Sequence, residues 1–414
     1  MRLRVIYIGV IPLAILVSCS KNQITPPPAF SPGNTLYIPD TSMKKMEAIY
    51  ILSSGSAGLG TQFVCKTSRF RVSFFSNTSG IFMILKYGLD PVDGSIKFSG
   101  FWRYSQTATQ GLVNFRMPAA VAAVFLKTGD IGTLELAGSM GSGPGDSSPI
   151  SLKFSRQFSA YATDSPFQIY AHHGVQTTAD PPYPENSLSG VLNDEAYGVN
   201  GLEYDVQLTK DHVPITMHDG NIDINLTQKS PLSGSWDQYT FAFLEGYIRL
   251  LNGEKIPSLD QCLTAFIDST NMKYFWMDIK GDDSIFQALM PVIQKAEAHA
   301  KAVGRDVVIY ADIPSKDVIA EFQSYPPYRA AGLKTMCELE LQDVIDNGSM
   351  YWGPRYSRGL LLDDVEKAHA QGIKVISWTL NDKDLIANYL HNGKFDGFIS
   401  DYPAYVVYDF YTTK

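Results

Sequence analysis

GLEYDVQLTKDHVPITMHD, residues 201–219, opens as a strand and closes on a His-Asp pair. Side chains two apart on a strand share a face. Glu203 and Asp205 therefore project together, as the oxygen ligands of a hard divalent cation must. His218 and Asp219 end the stretch. A second short signature lies upstream, Ala171-His172-His173-Gly174, followed by Pro184-Glu185-Asn186-Ser187. Two separated histidines around a carboxylate cluster suggest acid–base chemistry at a metal-bound oxyanion.

Further landmarks follow in order. They are Ile256-Pro257-Ser258-Leu259, Met277-Asp278-Ile279-Lys280, Trp378-Thr379-Leu380-Asn381 and Asp396-Gly397-Phe398-Ile399-Ser400-Asp401-Tyr402-Pro403. The ordered set resembles the glycerophosphodiester phosphodiesterase family over about residues 166–410. That family reads His-Arg-Gly, Glu-Asn-Thr, Glu-x-Asp-Val with a Thr-Lys-Asp turn, then His-Asp. The resemblance implies one divalent cation, calcium or magnesium, on Glu203, Asp205 and Asp278, with Glu185 as a further ligand or an orienting group. It implies His172 and His218 as the acid–base pair, Lys280 as a phosphate contact and Trp378 as a wall against the glycerol or alcohol part. Two positions depart from the family. Asp278 stands where Glu is usual, and His173 replaces the arginine that grips phosphate, so the bidentate fork is lost there. Asn186 and Ser187 read as helix-start residues.

Strand-like runs are expected at 167–171, 201–206, 214–217, 274–279, 307–310, 333–337, 374–379 and 397–400, with helical patterns between most of them, clearest over 284–302 and 363–370. About eight strands alternating with helices indicate a parallel (β/α)8 TIM-type barrel over 166–414. In that fold His172, Glu203, Asp205, His218, Asp278, Lys280, Trp378 and Asp401 all fall on the C-terminal rim, where such barrels place their sites.

Residues 46–160 differ. Short runs rich in aromatic and β-branched residues alternate with Gly, Asn, Asp and Ser clusters, which predicts an all-β sandwich. Met140-Gly141-Ser142-Gly143-Pro144-Gly145-Asp146 lacks the Lys-Ser/Thr of a phosphate loop and reads as a hairpin connection. Residues 20–45, with Pro26-Pro27-Pro28, read as an extended tether.

Residues 1–19 read as an export signal. Arg2 and Arg4 precede an apolar run, and Leu16-Val17-Ser18-Cys19 resembles a bacterial lipobox with Cys19 as the acylated residue. A lipid-anchored protein is expected, on the outer membrane facing the periplasm. The remaining cysteines, Cys65, Cys262 and Cys337, have no metal-ligand spacing and read as small buried residues. With 34 basic and 42 acidic residues the net charge is −8, which argues against nucleic acid as a partner.

The expected function is metal-dependent hydrolysis of glycerophosphodiesters to glycerol phosphate and an alcohol. Two alternatives stand beside it. One is a phospholipase-type headgroup phosphodiesterase. The other is a catalytically weak surface protein whose sandwich binds glycan or a partner protein.

Overall fold

The computed structural model describes residues 24–28, 31–143, 146–175, 181–280, 285–324 and 332–413. The expected signal at 1–19 and its Cys19 lie outside the described residues.

Eight strands come first: β1 Ala48–Ser54, β2 Gln62–Ser68, β3 Arg71–Phe75, β4 Ile81–Leu89, β5 Ile96–Tyr104, β6 Gln110–Met117, β7 Glu135–Gly143 and β8 Asp146–Arg156. Each pairs antiparallel with the next, and β8 returns to pair with β1, so the sheet is a closed barrel. The expected sandwich is corrected. Alternation along a strand reports only which faces are buried, and a closed meander shows the same alternation as two packed sheets. On β6, Gly111, Val113, Phe115 and Met117 are buried while Leu112, Asn114 and Arg116 face out. Phe63, Phe74, Met83, Phe98, Phe115 and Leu152 fill the interior, leaving a packed core. Of the Met140–Asp146 run, the described residues lie where β7 pairs with β8, with Gly143 opposite Asp146. One helix, Ala119–Thr128, interrupts the meander between β6 and β7.

The tether expected over 20–45 is shorter than its sequence suggests. Leu36 bridges to Leu89, and Ile38, Met43 and Met46 are buried in the core of the first barrel.

The second unit holds β9 Gln168–His172, β10 Gly201–Leu208, β11 Pro214–Thr216, β12 Tyr274–Ile279, β13 Val308–Ala311, β14 Met336–Cys337, β15 Tyr351–Trp352, β16 Lys374–Ser377 and β17 Gly397–Ser400. Strand order is β13-β12-β10-β9-β17-β16-β15-β14, all parallel. A single parallel bridge from Ala311 to Thr335 brings the ends together, giving a nearly closed (β/α)8 barrel. Two strand assignments change. The expected strand at 214–217 is β11, which pairs antiparallel with β10 and lies off the barrel. Its place is taken by β15, a two-residue strand. Residues between His218 and Ile256 fold over the rim on a small core of their own around Trp236, Leu244, Ile248 and Leu250.

The two barrels share a core. On β4, Met83 and Leu85 point into the first barrel, whereas Phe82 and Ile84 point out and pack with Tyr197, Tyr405 and Val407 of the second. Phe82 meets Tyr197 edge-on at 5.0 Å. Each large apolar side chain buried this way contributes about 1.5–3 kcal/mol. Cys65, Cys262 and Cys337 are free and buried, as small apolar fillers are. Among the described residues no helix is long and apolar enough to cross a membrane.

Candidate active site

The site lies at the C-terminal rim of the second barrel. β10 supplies Glu203, Asp205 and Gln207 on one face at successive alternate positions, and all three are buried. Asp278 stands directly across from Asp205 in the β10–β12 pairing. One ligand oxygen from each of Glu203, Asp205 and Asp278 lies within 4.8 Å of the others. A Glu203 carboxylate oxygen, Oε1, is buried with no hydrogen-bond partner. Burial first, then Asp205 and Asp278, pushes the Glu203 carboxyl well above its ordinary range. Burial does the same to Asp278, with Lys280 opposing and Asp205 adding. Converging oxygens of this kind, one of them orphaned, fit a hard divalent cation.

Lys280 Nζ lies 2.7 Å from Asp278 and 3.3 Å from Asp205. Burial alone would lower its pKa, but Asp278 and Asp205 outweigh that and hold it above the ordinary lysine value. It is a cation under all ordinary conditions.

His172 ends β9. Its Nδ1 lies 2.6 Å from Asp401 Oδ1. Asp401 is fixed in turn by the Asn381 side chain, whose amide donates at 2.5 Å and whose carbonyl accepts the Asp401 backbone N–H at 2.8 Å. His218 is oriented the same way, its Nδ1 2.8 Å from Asp219 Oδ1. Gln207 holds that corner, its side-chain amide donating to the carbonyls of Met217, His218 and Asp219 at 3.1, 2.8 and 2.7 Å. Burial works against the His218 imidazolium, but Asp205 and the Asp219 hydrogen bond outweigh it and raise the pKa.

His173 sits between the other two rings, 3.7 Å from His172 and 4.8 Å from His218 centre to centre. Its backbone is left-handed, φ 53°, which turns its N–H toward Glu203 Oε2 at 3.0 Å. Burial first, then the neighbouring histidines, drives its pKa well below the ordinary value. A neutral ring here supplies no charge to a phosphate, so the departure from the family's arginine is electrostatic as well as geometric.

Glu185 lies 3.9 Å from His173, and burial pushes its carboxyl up to about 7. It is absent from the tightest carboxylate group, which is formed by Glu203, Asp205 and Asp278. Ser187 caps the helix Leu188–Asn193, accepting from the Gly190 N–H at 3.0 Å. Asn186 does not, and its cap assignment is corrected. Its backbone is left-handed, φ 54°, and its buried side chain clamps Asp205, donating to Oδ2 at 2.7 Å and accepting the Asp205 N–H at 2.9 Å. Asn186→Ala is expected to lower divalent-cation affinity about 10- to 100-fold, read by titration calorimetry with magnesium and calcium.

All the site residues expected in the barrel therefore gather at one rim, with Trp378 on its far side. Asn186, Gln207 and Asn381 were not among them, and Asp401 was expected on the rim but given no role. Gln207 continues the alternation of Glu203 and Asp205, and Asp401 and Asn381 lie inside motifs already noted, so those three carried a signal.

Residues 179–340 match the model of the Glycerophosphoryl diester phosphodiesterase family. The chain is similar to a glycerophosphodiester phosphodiesterase of Bacillus altitudinis, 25% identical over 253 residues, covering 57% of this chain and 95% of that one. It is similar to glycerophosphodiester phosphodiesterase 1 of Mus musculus, 24% identical, covering 56% and 76%. Among solved structures, an Oleispira antarctica phosphodiesterase in complex with the product sn-glycerol-3-phosphate aligns with TM-score 0.45 at 18% identity, covering 58% of this chain and 94% of that one. With its motifs standing in order around one rim, the second barrel of this chain is similar to the glycerophosphodiester phosphodiesterase family, whose model it matches over residues 179–340.

Proposed function

We propose that the chain hydrolyses glycerophosphodiesters to glycerol phosphate and an alcohol, with a divalent cation held by Glu203, Asp205 and Asp278. The observation that carries this is the convergence of three carboxylates beside two imidazoles, each oriented by its own aspartate. A bound cation offsets charge on the phosphoryl oxygens. Lys280, already within ion-pair distance of two of these carboxylates, adds a fixed positive charge facing the same space.

The two histidines move protons. With Nδ1–H directed at Asp401, His172 presents Nε2 as an acceptor, the form a general base needs. His218 carries the raised pKa and so is the better donor to the leaving oxygen near neutral pH. His173 is neutral and backs the metal carboxylates, donating its backbone N–H to Glu203. Glu185 stands 3.9 Å from His173 at the edge of this cluster, its carboxyl pushed up to about 7 by burial.

Upstream, the basic start, apolar run and Cys19 support lipid attachment of the chain to a membrane, for which the outer membrane facing the periplasm is our reading. Incorporation of labelled fatty acid that Cys19→Ser abolishes tests the anchor.

The activity is tested by release of glycerol phosphate from a glycerophosphodiester with calcium or magnesium. Removal of the cation by a chelator is expected to abolish turnover, and its return to restore it. Turnover at full rate in chelator would refute the assignment of the three carboxylates.

A further inference from the structure

The cap over the rim carries a face that no step of the hydrolysis uses. Its helix Phe241–Tyr247 reads Phe-Ala-Phe-Leu-Glu-Gly-Tyr, with Glu245 as the one charged residue. Leu244 and the following Ile248 point inward to the cap core beside Leu226 and Leu250. The opposite side is apolar as well. Tyr239, Phe243 and Tyr247 follow at a spacing of four, with Tyr239 stacked on Phe243 at 5.6 Å and Phe243 against Tyr247 at 4.6 Å. Phe243 is 39% and Tyr247 67% exposed, and Ala242 and Gly246 beside them are exposed too. Glu245 is neutralised by Lys255 at 3.4 Å. A surface helix normally turns a charged side to water, so one that is apolar on both sides is built to be covered.

Where the chain leaves the fold identifies the cover. Thr25 donates its N–H to the Pro181 carbonyl at 3.0 Å, and Ile24 shares a small cavity with Glu185, Leu226 and Leu251. Leu226 belongs to the cap core under the aromatic helix, and Glu185 stands at the edge of the carboxylate and histidine cluster. Cys19 lies five positions before Ile24, a reach of about 18 Å at most. Acyl chains on Cys19 therefore enter a bilayer close to the cap. A second copy of the chain fits less well. A helix of seven residues offers a face about 10 Å long and about 10 Å across. That is far short of the roughly 800 Å² per partner of a stable interface. Three rings, two of them bearing hydroxyls, suit the boundary between headgroups and acyl chains. We propose that this aromatic face docks the cap on a lipid bilayer beside the acylated end of the chain, so that the barrel mouth opens at the membrane surface. This rests on the anchor reading of Cys19.

The test places a tryptophan on this face of the full chain and reads its quenching by brominated acyl chains in vesicles of phosphatidylcholine and phosphatidylethanolamine. Tyr247→Trp is expected to lose most of its added emission. Val92→Trp, on the turn between β4 and β5 and 92% exposed, should keep its own. Adding Phe243→Asp to Tyr247→Trp should restore the emission, because a carboxylate resists leaving water. A melting temperature near wild type shows that this double variant keeps its fold. A bright Tyr247→Trp in vesicles, or equal quenching at positions 247 and 92, overturns the proposal. So does a dimer in solution that Phe243→Asp splits into monomers. Labelled fatty acid on Cys19 beside a bright Tyr247→Trp leaves the anchor standing and removes the docking. Quenched Tyr247→Trp on a chain without the label removes the anchor and keeps the docking.

Discussion

Replacing His172 with Ala is expected to lower kcat about 10²- to 10⁴-fold, the ordinary contribution of a positioned proton-transfer group. Affinity for the divalent cation and the melting temperature should stay near wild type. The ring is partly exposed, hydrogen-bonded to Asp401 and stacked on His173, so its loss removes little core packing. The Asp401 partner sharpens the test. Asp401→Asn keeps the shape but offers an amide to Nδ1, allowing the wrong tautomer and removing the acceptor that stabilises the imidazolium. A smaller loss is expected, with the basic role of the ring displaced along the pH–rate profile. His218→Ala should give a loss of similar order on diesters with poor leaving groups, and less where the leaving alcohol is acidic and needs no proton. If His172→Ala retains wild-type kcat, the proton-transfer assignment is wrong, whatever the metal does.

The roles of His172 and His218 came from the resemblance of their motifs, whereas the carboxylates beside them were legible for a physical reason. The strand period places Glu203, Asp205 and Gln207 on one face without any knowledge of the fold, and a parallel barrel collects strand ends on one rim. Where the reading failed, the deciding contact was non-local or too short to show a period. Closure of the first barrel depends on β8 meeting β1, a pairing no run of residues announces. β15 is Tyr351–Trp352 alone, too brief for alternation. The strand at 214–217 was mistaken for a barrel member, although the short Thr209–Val213 connection from β10 already excluded a parallel partner, which needs a crossover of a dozen or more residues. Asn186 was hidden for another reason. Asn next to Ser before a helix is a cap signature, and only the left-handed backbone at Asn186 swings its amide away from the helix and onto Asp205.

The cation-free protein is expected to lose stability as pH rises, against the usual behaviour of surface carboxylates. Glu203 and Asp278 have raised pKa values, as do Glu185, at about 7, and Glu338, at about 9; burial is the first cause in each. A carboxyl with a raised folded-state pKa holds its proton after the unfolded chain has released it. Its stabilising share is complete below the ordinary value of 4.5 and is lost as pH climbs through the folded value, here about 7 for Glu185 and about 9 for Glu338. Chemical denaturation in chelator should therefore show a falling midpoint from about pH 5 to 9. Saturating magnesium or calcium should raise the curve and flatten it, because a cation favours the ionised carboxylates in the folded state only. Ligand at a hundred times its Kd adds about 2.7 kcal/mol. Glu203→Gln separates this from a general ionic effect. Removing one buried like charge should leave the cation-free protein more stable than wild type at pH 8 while abolishing its response to the cation. A cation-free midpoint that rises with pH, or a Glu203→Gln protein that magnesium stabilises as fully as wild type, would mean that these carboxylates do not share one ion.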